Sequence, residues 1–185
     1  MRLPIALCAL LLLGACAEPF RALTPRRRPG PVVDVRSPFD PVALRVHPLT
    51  HVQRRAPGLS PDECLLVLHV ELTDAYADSV KGLGLLTVEL FRPGSGPTPG
   101  MEVQSRRWRV DDLLDPESNS ARYDPSTRTY RIPLVAEAWV AEWLDPASAP
   151  LRAGAPPWVK VRAALETHGR DDRPILLADE FIVQR

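Results

Sequence analysis

The chain has 185 residues, 23 basic and 23 acidic side chains, and a formal net charge of zero. Apolar residues make up 45% and charged residues 25%, the balance of a folding globular chain rather than a disordered or collagen-like one. The neutral balance lacks the basic surplus of a nucleic-acid binder, and no apolar run approaches the ~20 residues of a spanning helix.

In chain order, the first element is a leader. Arg2 precedes an apolar run from Leu3 to Leu13. That run has the length of a signal-peptide core (~7–15 residues) and is too short to stay in a bilayer as an anchor. It ends in Leu13-Gly14-Ala15-Cys16. Leucine, two small residues and a cysteine at this place resemble the lipobox of bacterial lipoproteins. The resemblance implies that Cys16 receives a diacylglyceryl thioether, that signal peptidase II cuts before it, and that its amine is then acylated. Residues 1–15 would be the signal peptide. Each buried methylene contributes about 0.8 kcal/mol, so several chains on one residue attach it permanently. Ala17, rather than Asp, is similar to outer-membrane sorting in proteobacteria. The implied place is the cell envelope: the periplasmic face of the outer membrane, or the cell surface, of a Gram-negative cell. The alternative is an ordinary signal peptide cut at Ala15-Cys16-Ala17, with Cys16 incidental.

Residues 16–41 follow as the lipidated cysteine and a tether. Pro19, Pro25, Pro29, Pro31, Pro38 and Pro41 favour extended geometry, and only Pro31–Val35 offers a short strand. Arg21, Arg26, Arg27, Arg28 and Arg36 face only Glu18 and Asp34 across residues 17–36. Close to an anchor, such a cluster can rest on anionic headgroups or simply keep a linker solvated.

From Val42 the pattern turns to period two, the mark of half-buried antiparallel strands. Strands are expected at 42–47, 66–73, 85–91 and 158–166, with weaker candidates at Glu102–Val110, Thr129–Leu134 and Leu176–Val183. Asp124-Pro125 starts a turn, and the stretch from Arg92 to Gly100 reads as a loop. One segment breaks the period. Val135, Ala136, Trp139, Val140, Trp143 and Leu144 share half of a helical wheel, and Asp145-Pro146 ends it. The expected fold over 42–185 is therefore an all-β antiparallel sandwich of about seven strands with one short helix near 136–144. The stretch Thr73–Val88 is similar to a strand–loop–strand of transthyretin-like sandwich modules, with Ala77 in place of a glycine and Ser79 in place of a proline. That resemblance implies a sandwich and no functional residues.

Few residues nominate chemistry. Once Cys8 and Cys16 are set aside, Cys64 is the one thiol left, and it opens a strand as a buried small hydrophobe would. His47 and His51 stand four apart around Pro48; on a strand that separation is ~13 Å, too long for one ion. Asp74/Asp78, Asp111/Asp112/Asp115/Glu117 and Asp171/Asp172 read as turn and cap residues rather than a calcium loop. No nucleophile elbow, phosphate loop or His-Glu-x-x-His is present, so no catalytic residue, metal or cofactor is expected.

The expectation is a membrane-anchored, non-catalytic β-sandwich lipoprotein that binds or positions an envelope protein or glycan. Two other classes stay open. Trp108, Trp139 or Trp143 beside carboxylates would mark a carbohydrate-binding or carbohydrate-processing module, and ion-holding loop carboxylates a calcium-stabilised adhesion module. The weak strands are the expected edges: Arg106, Arg107 and Arg109 guard the first, and Pro133 fits the second. Trp139 and Trp143, at i and i+4, are the candidates for a partner contact, with burial in the domain's own core as the alternative.

Overall fold

The structure is a computed structural model that describes residues 40–54, 60, 63–93, 102–145, 158–169 and 172–185, all within the compact unit Arg36–Arg185. The lipobox with Cys16, most of the tether and the centre of the Pro- and Gly-rich loop lie outside the described residues.

Nine strands occur among the described residues: β1 (Ala43–Val46), β2 (His51–Arg54), β3 (Cys64–Thr73), β4 (Leu85–Pro93), β5 (Glu102–Val110), β6 (Tyr123–Asp124), β7 (Thr129–Ala136), β8 (Trp158–His168) and β9 (Pro174–Gln184). All pair antiparallel in two sheets. One runs β1-β3-β7-β6, with β2 also on β3; the other runs β5-β4-β8-β9. Seven of the nine are the strands that the alternation predicts. β2 and β6 are additional and short. β2 continues the edge begun by β1, since β1 pairs with 70–73 of β3 and β2 with 64–67.

Alternation decides the faces. Leu66, Leu68, Val70 and Leu72 of β3 meet Leu86, Val88 and Leu90 of β4 and Val159, Val161, Ala163 and Leu165 of β8 in one core. Each such aliphatic side chain contributes about 1.5–3 kcal/mol when fully buried. Cys64 is fully buried in this core, and burial pushes its thiol above the usual range, which suits packing rather than reactivity.

Two α-helices lie among the described residues. α2 (Ala138–Leu144) is the expected one, shorter at its start because Val135 and Ala136 extend β7 opposite Leu65 and Cys64. Their apolar side chains serve the strand period as well as the helical one. α1 (Pro116–Arg122) is additional. Asp115 caps it by accepting from the Ser118 N–H at 2.8 Å, and Pro116 takes the first turn, where no N–H is needed. That bond holds the Asp115 carboxyl below its usual range.

The β3–β4 connection carries the chain from one sheet to the other. Asp74 turns it: its Oδ1 accepts from the N–H groups of Tyr76 at 2.9 Å and Asp78 at 3.0 Å. Ala77 sits in the left-handed region at φ 65°, where a Cβ is strained. Farther on, the Gly82 N–H donates to the Tyr130 hydroxyl at 3.0 Å. That hydroxyl donates to Asn119 Oδ1 at 3.0 Å, and Asn119 Nδ2 donates to the Gly82 carbonyl at 2.8 Å and the Leu113 carbonyl at 3.2 Å. Tyr130 is fully buried, and burial pushes its phenol up, so it keeps its proton. Gly84 is required by close approach: a Cβ there would lie 2.5 Å from the Glu166 carbonyl.

Tyr130→Phe leaves the part-buried Gly82 N–H and the buried Asn119 amide oxygen without this partner. It is expected to lower stability by about 1–3 kcal/mol in urea unfolding. Ala77→Gly relieves left-handed strand-loop backbone and should raise stability by up to about 1 kcal/mol; a loss in the same assay would contradict the strain argument.

Candidate functional site

The seam between β5 and α2 brings together two half-buried tryptophans with Ser105, Glu137, Arg92 and Arg106. It begins with a register shift. Leu90 stands opposite Arg106 and Phe91 opposite Gln104, so Ser105 has no counterpart on β4. The extra residue of such a bulge bends its strand and re-aims its side chain. Ser105 hydroxyl donates to Glu137 Oε2 in a short contact. The Trp139 indole N–H is shared between Ser105 Oγ at 2.8 Å and Glu137 Oε2 at 2.6 Å. Glu137 is the N-cap position of α2, yet its carboxylate makes no cap bond. It is spent on the clasp to β5 instead.

Cations cover the aromatic rings of the seam. The Arg92 guanidinium lies 5.3 Å from the Trp139 ring centroid, and Arg106 lies 6.0 Å from that of Trp108. Trp108 reaches across to the other sheet, its indole N–H donating to the Val135 carbonyl at 3.2 Å. Both indoles pack against the core and stay half-buried. Val103 on the same strand is 63% exposed.

The expected pair of tryptophans is thus divided. Trp143 is only 5% exposed and belongs to the core, while Trp139 stands at its margin. The i, i+4 spacing alone does not separate them; the Ser105 bulge and the reach of β5 over one side of α2 do. Chemically the seam is a clasp with a cationic, aromatic rim. The Ser105 hydroxyl has a carboxylate and an indole as partners, and no imidazole is among them.

The remaining candidates fall into structural roles. Asp112 accepts from Arg122 at 2.6 and 2.9 Å, and Asp111 from Arg109 at 2.9 Å. No group of three His, Cys, Asp or Glu side chains with metal-holding geometry occurs among the described residues, and none of their helices is long and apolar enough to cross a membrane. No family model matches this chain, and neither a curated protein nor a solved structure does. What is established is an all-β antiparallel sandwich with a clasped tryptophan seam.

The burial difference predicts unequal effects. Trp143→Ala should cost about 3–5 kcal/mol as a core truncation, and Trp139→Ala clearly less, in thermal and urea unfolding. Equal losses would place both indoles in the core.

Proposed function

We propose that this protein is a lipid-anchored envelope lipoprotein whose β-sandwich acts as a non-catalytic module, binding and positioning another envelope protein. The reading is carried by Leu13-Gly14-Ala15-Cys16 at the end of an apolar leader, followed by a Pro-rich spacer and a folded domain. An acylated Cys16 would hold the chain at the membrane, and the spacer would set the reach of the sandwich.

The partner surface in this reading is the β5–α2 rim: Trp139, Trp108, Arg92, Arg106 and Val103. Tryptophan and arginine supply most of the energy at protein interfaces because they combine area with directed polar groups. A protein partner is favoured over a glycan, since Arg92 already lies over the Trp139 ring on which a sugar would stack. An extended partner segment also has a backbone to meet there, because β5 is an end strand of its sheet.

The test has two arms in a Gram-negative host. Cys16→Ser should move the protein from the membrane fraction to the soluble fraction and remove the acyl mass from the mature N-terminus. An unmodified wild-type terminus beginning at Ala17 would refute the anchor. Cross-linking from membranes with Arg106→Ala/Trp139→Ala should lose a protein partner while circular dichroism keeps the wild-type spectrum. Unchanged cross-links would remove this rim as the contact.

A further inference from the structure

Apart from the seam, a cluster of ionisable side chains collects on the outer face of the five-stranded sheet. His69 of β3 points away from the core, yet it is only 6% exposed. Its ring lies 6.4 Å from the His51 ring in a stacked arrangement, and its Nδ1 is 3.0 Å from Thr129 Oγ1. Arg131 of β7 stands directly opposite His69 in the register, and His51 of β2 stands opposite Val67, two residues away.

The same place is where the first edge of the sheet is interrupted. Between β1 and β2 the turn His47–Thr50 replaces ladder pairing with bonds to one residue. The His47 N–H donates to the His69 carbonyl at 2.8 Å, and the His69 N–H donates to Thr50 Oγ1 at 3.0 Å. His47 Nδ1 accepts from the Leu49 N–H at 3.2 Å, and His51 Nδ1 is 2.7 Å from the Leu49 carbonyl. The His47 and His51 rings therefore bond within the turn, the His69 ring bonds Thr129 of β7, and the turn's hold on β3 passes through the His69 backbone.

We propose that His47, His51 and His69 form an acid-operated latch on the β1–β2 edge: when acid places a positive charge on the His69 ring, beside Arg131 and packed against the other two imidazoles, the His47–Thr50 turn releases β3.

The charged surroundings agree with that direction. Burial comes first, then the neighbouring His51, Arg131 and His47, in holding the His69 imidazole below its usual range; Asp124 of β6 opposes them more weakly. Asp124 is also occupied by the Ser126 N–H at 2.9 Å. Glu71, the next outward residue of β3, accepts from the Ser79 hydroxyl at 2.6 Å and stands opposite Arg45 of β1. The sign follows from linkage. The folded edge favours neutral His69, while the unfolded edge takes up a proton near the ordinary value. The latch is therefore fully closed above about pH 6.5 and weakens as pH drops through the lower folded midpoint.

Hydrogen exchange on the full-length protein in detergent tests this, with chemical exchange rates matched between about pH 7.5 and about pH 5.5. Peptides covering 43–54 and 64–72 should lose protection about tenfold at the lower pH, while a peptide from β4 keeps its protection. In His51→Gln/His69→Gln the loss should disappear. If that pair does not fold, His51→Gln alone, at an exposed position, should shrink the loss, and an unchanged loss overturns the proposal. Protection of the edge that is independent of pH in the wild type, or an equal loss in the folded variant, overturns the proposal.

Discussion

The Tyr130 hydroxyl is the contact on which the arrangement of the sandwich turns. It sits where β7, the β3–β4 connection and α1 converge, and each of its partners belongs to a different segment. Gly82 comes from the chain crossing between sheets, and Asn119 from α1. Asn119 in turn collects the carbonyls of Gly82 and Leu113. A buried polar network of this kind is stabilising only when every member is answered, and here each donor and acceptor named has a partner. Around it, the Gly84 N–H donates to the Leu113 carbonyl at 3.1 Å and the Thr167 hydroxyl to the Leu83 carbonyl at 2.6 Å. The crossing segment is thereby fixed at both ends, and with it the register of β4 against β8.

Two sheets stacked face to face have edges on two sides, and the two sides are bridged differently. On one side the Val46 N–H of β1, which has no strand beyond it, donates to Asp179 of β9 at 2.9 Å. Asp179 occupies a core-facing position of its strand, and at an edge an inward carboxylate both satisfies an orphan donor and discourages strand addition. On the other side Trp108 crosses to the Val135 carbonyl. That bond points away from β3, so Pro133, two residues earlier, presents its missing donor on the same open side of β7. The proline therefore removes a donor where no partner strand stands.

The parts that follow from local pattern were legible in the amino-acid sequence, and the parts that follow from long-range register were not. Alternation of side-chain type places seven strands, most of which have one wetter face. β2 and β6 are too short to show a period, and β3 hides part of its own because Val67 and His69 are buried on the outer face as well. α1 carries a readable start in Asp115-Pro116, but its seven residues hold almost no apolar stripe. Ser105 could not be singled out, since a bulge is defined by the partner strand. The histidines looked too far apart along an extended strand, and the turn at His47–Thr50 together with the β3 pairing brings them to one patch.

The same register argument limits where another molecule can be held. Across the outer face of the four-stranded sheet, Arg107, Glu89, Arg162 and Glu180 stand in one row of opposite charges, with Glu89 3.9 Å from Arg107 and 3.7 Å from Arg162. Exposed pairs of this kind add at most about 1 kcal/mol each, but they answer one another's charge and leave little for a partner to complement. On the outer face of the five-stranded sheet, the centre is filled by His51, Val67, His69 and Arg131. The β1–β9 side is closed by Asp179. The β5–α2 rim differs from all three. There the cations sit over indole rings, so an incoming acidic or backbone carbonyl group meets guanidinium N–H donors held above an aromatic surface. The clasp of Ser105 and Glu137 holds the Trp139 ring, and the Val135 carbonyl holds that of Trp108. A rim held in one conformation loses little freedom on association, which is why the proposed contact belongs to this seam rather than to either open face.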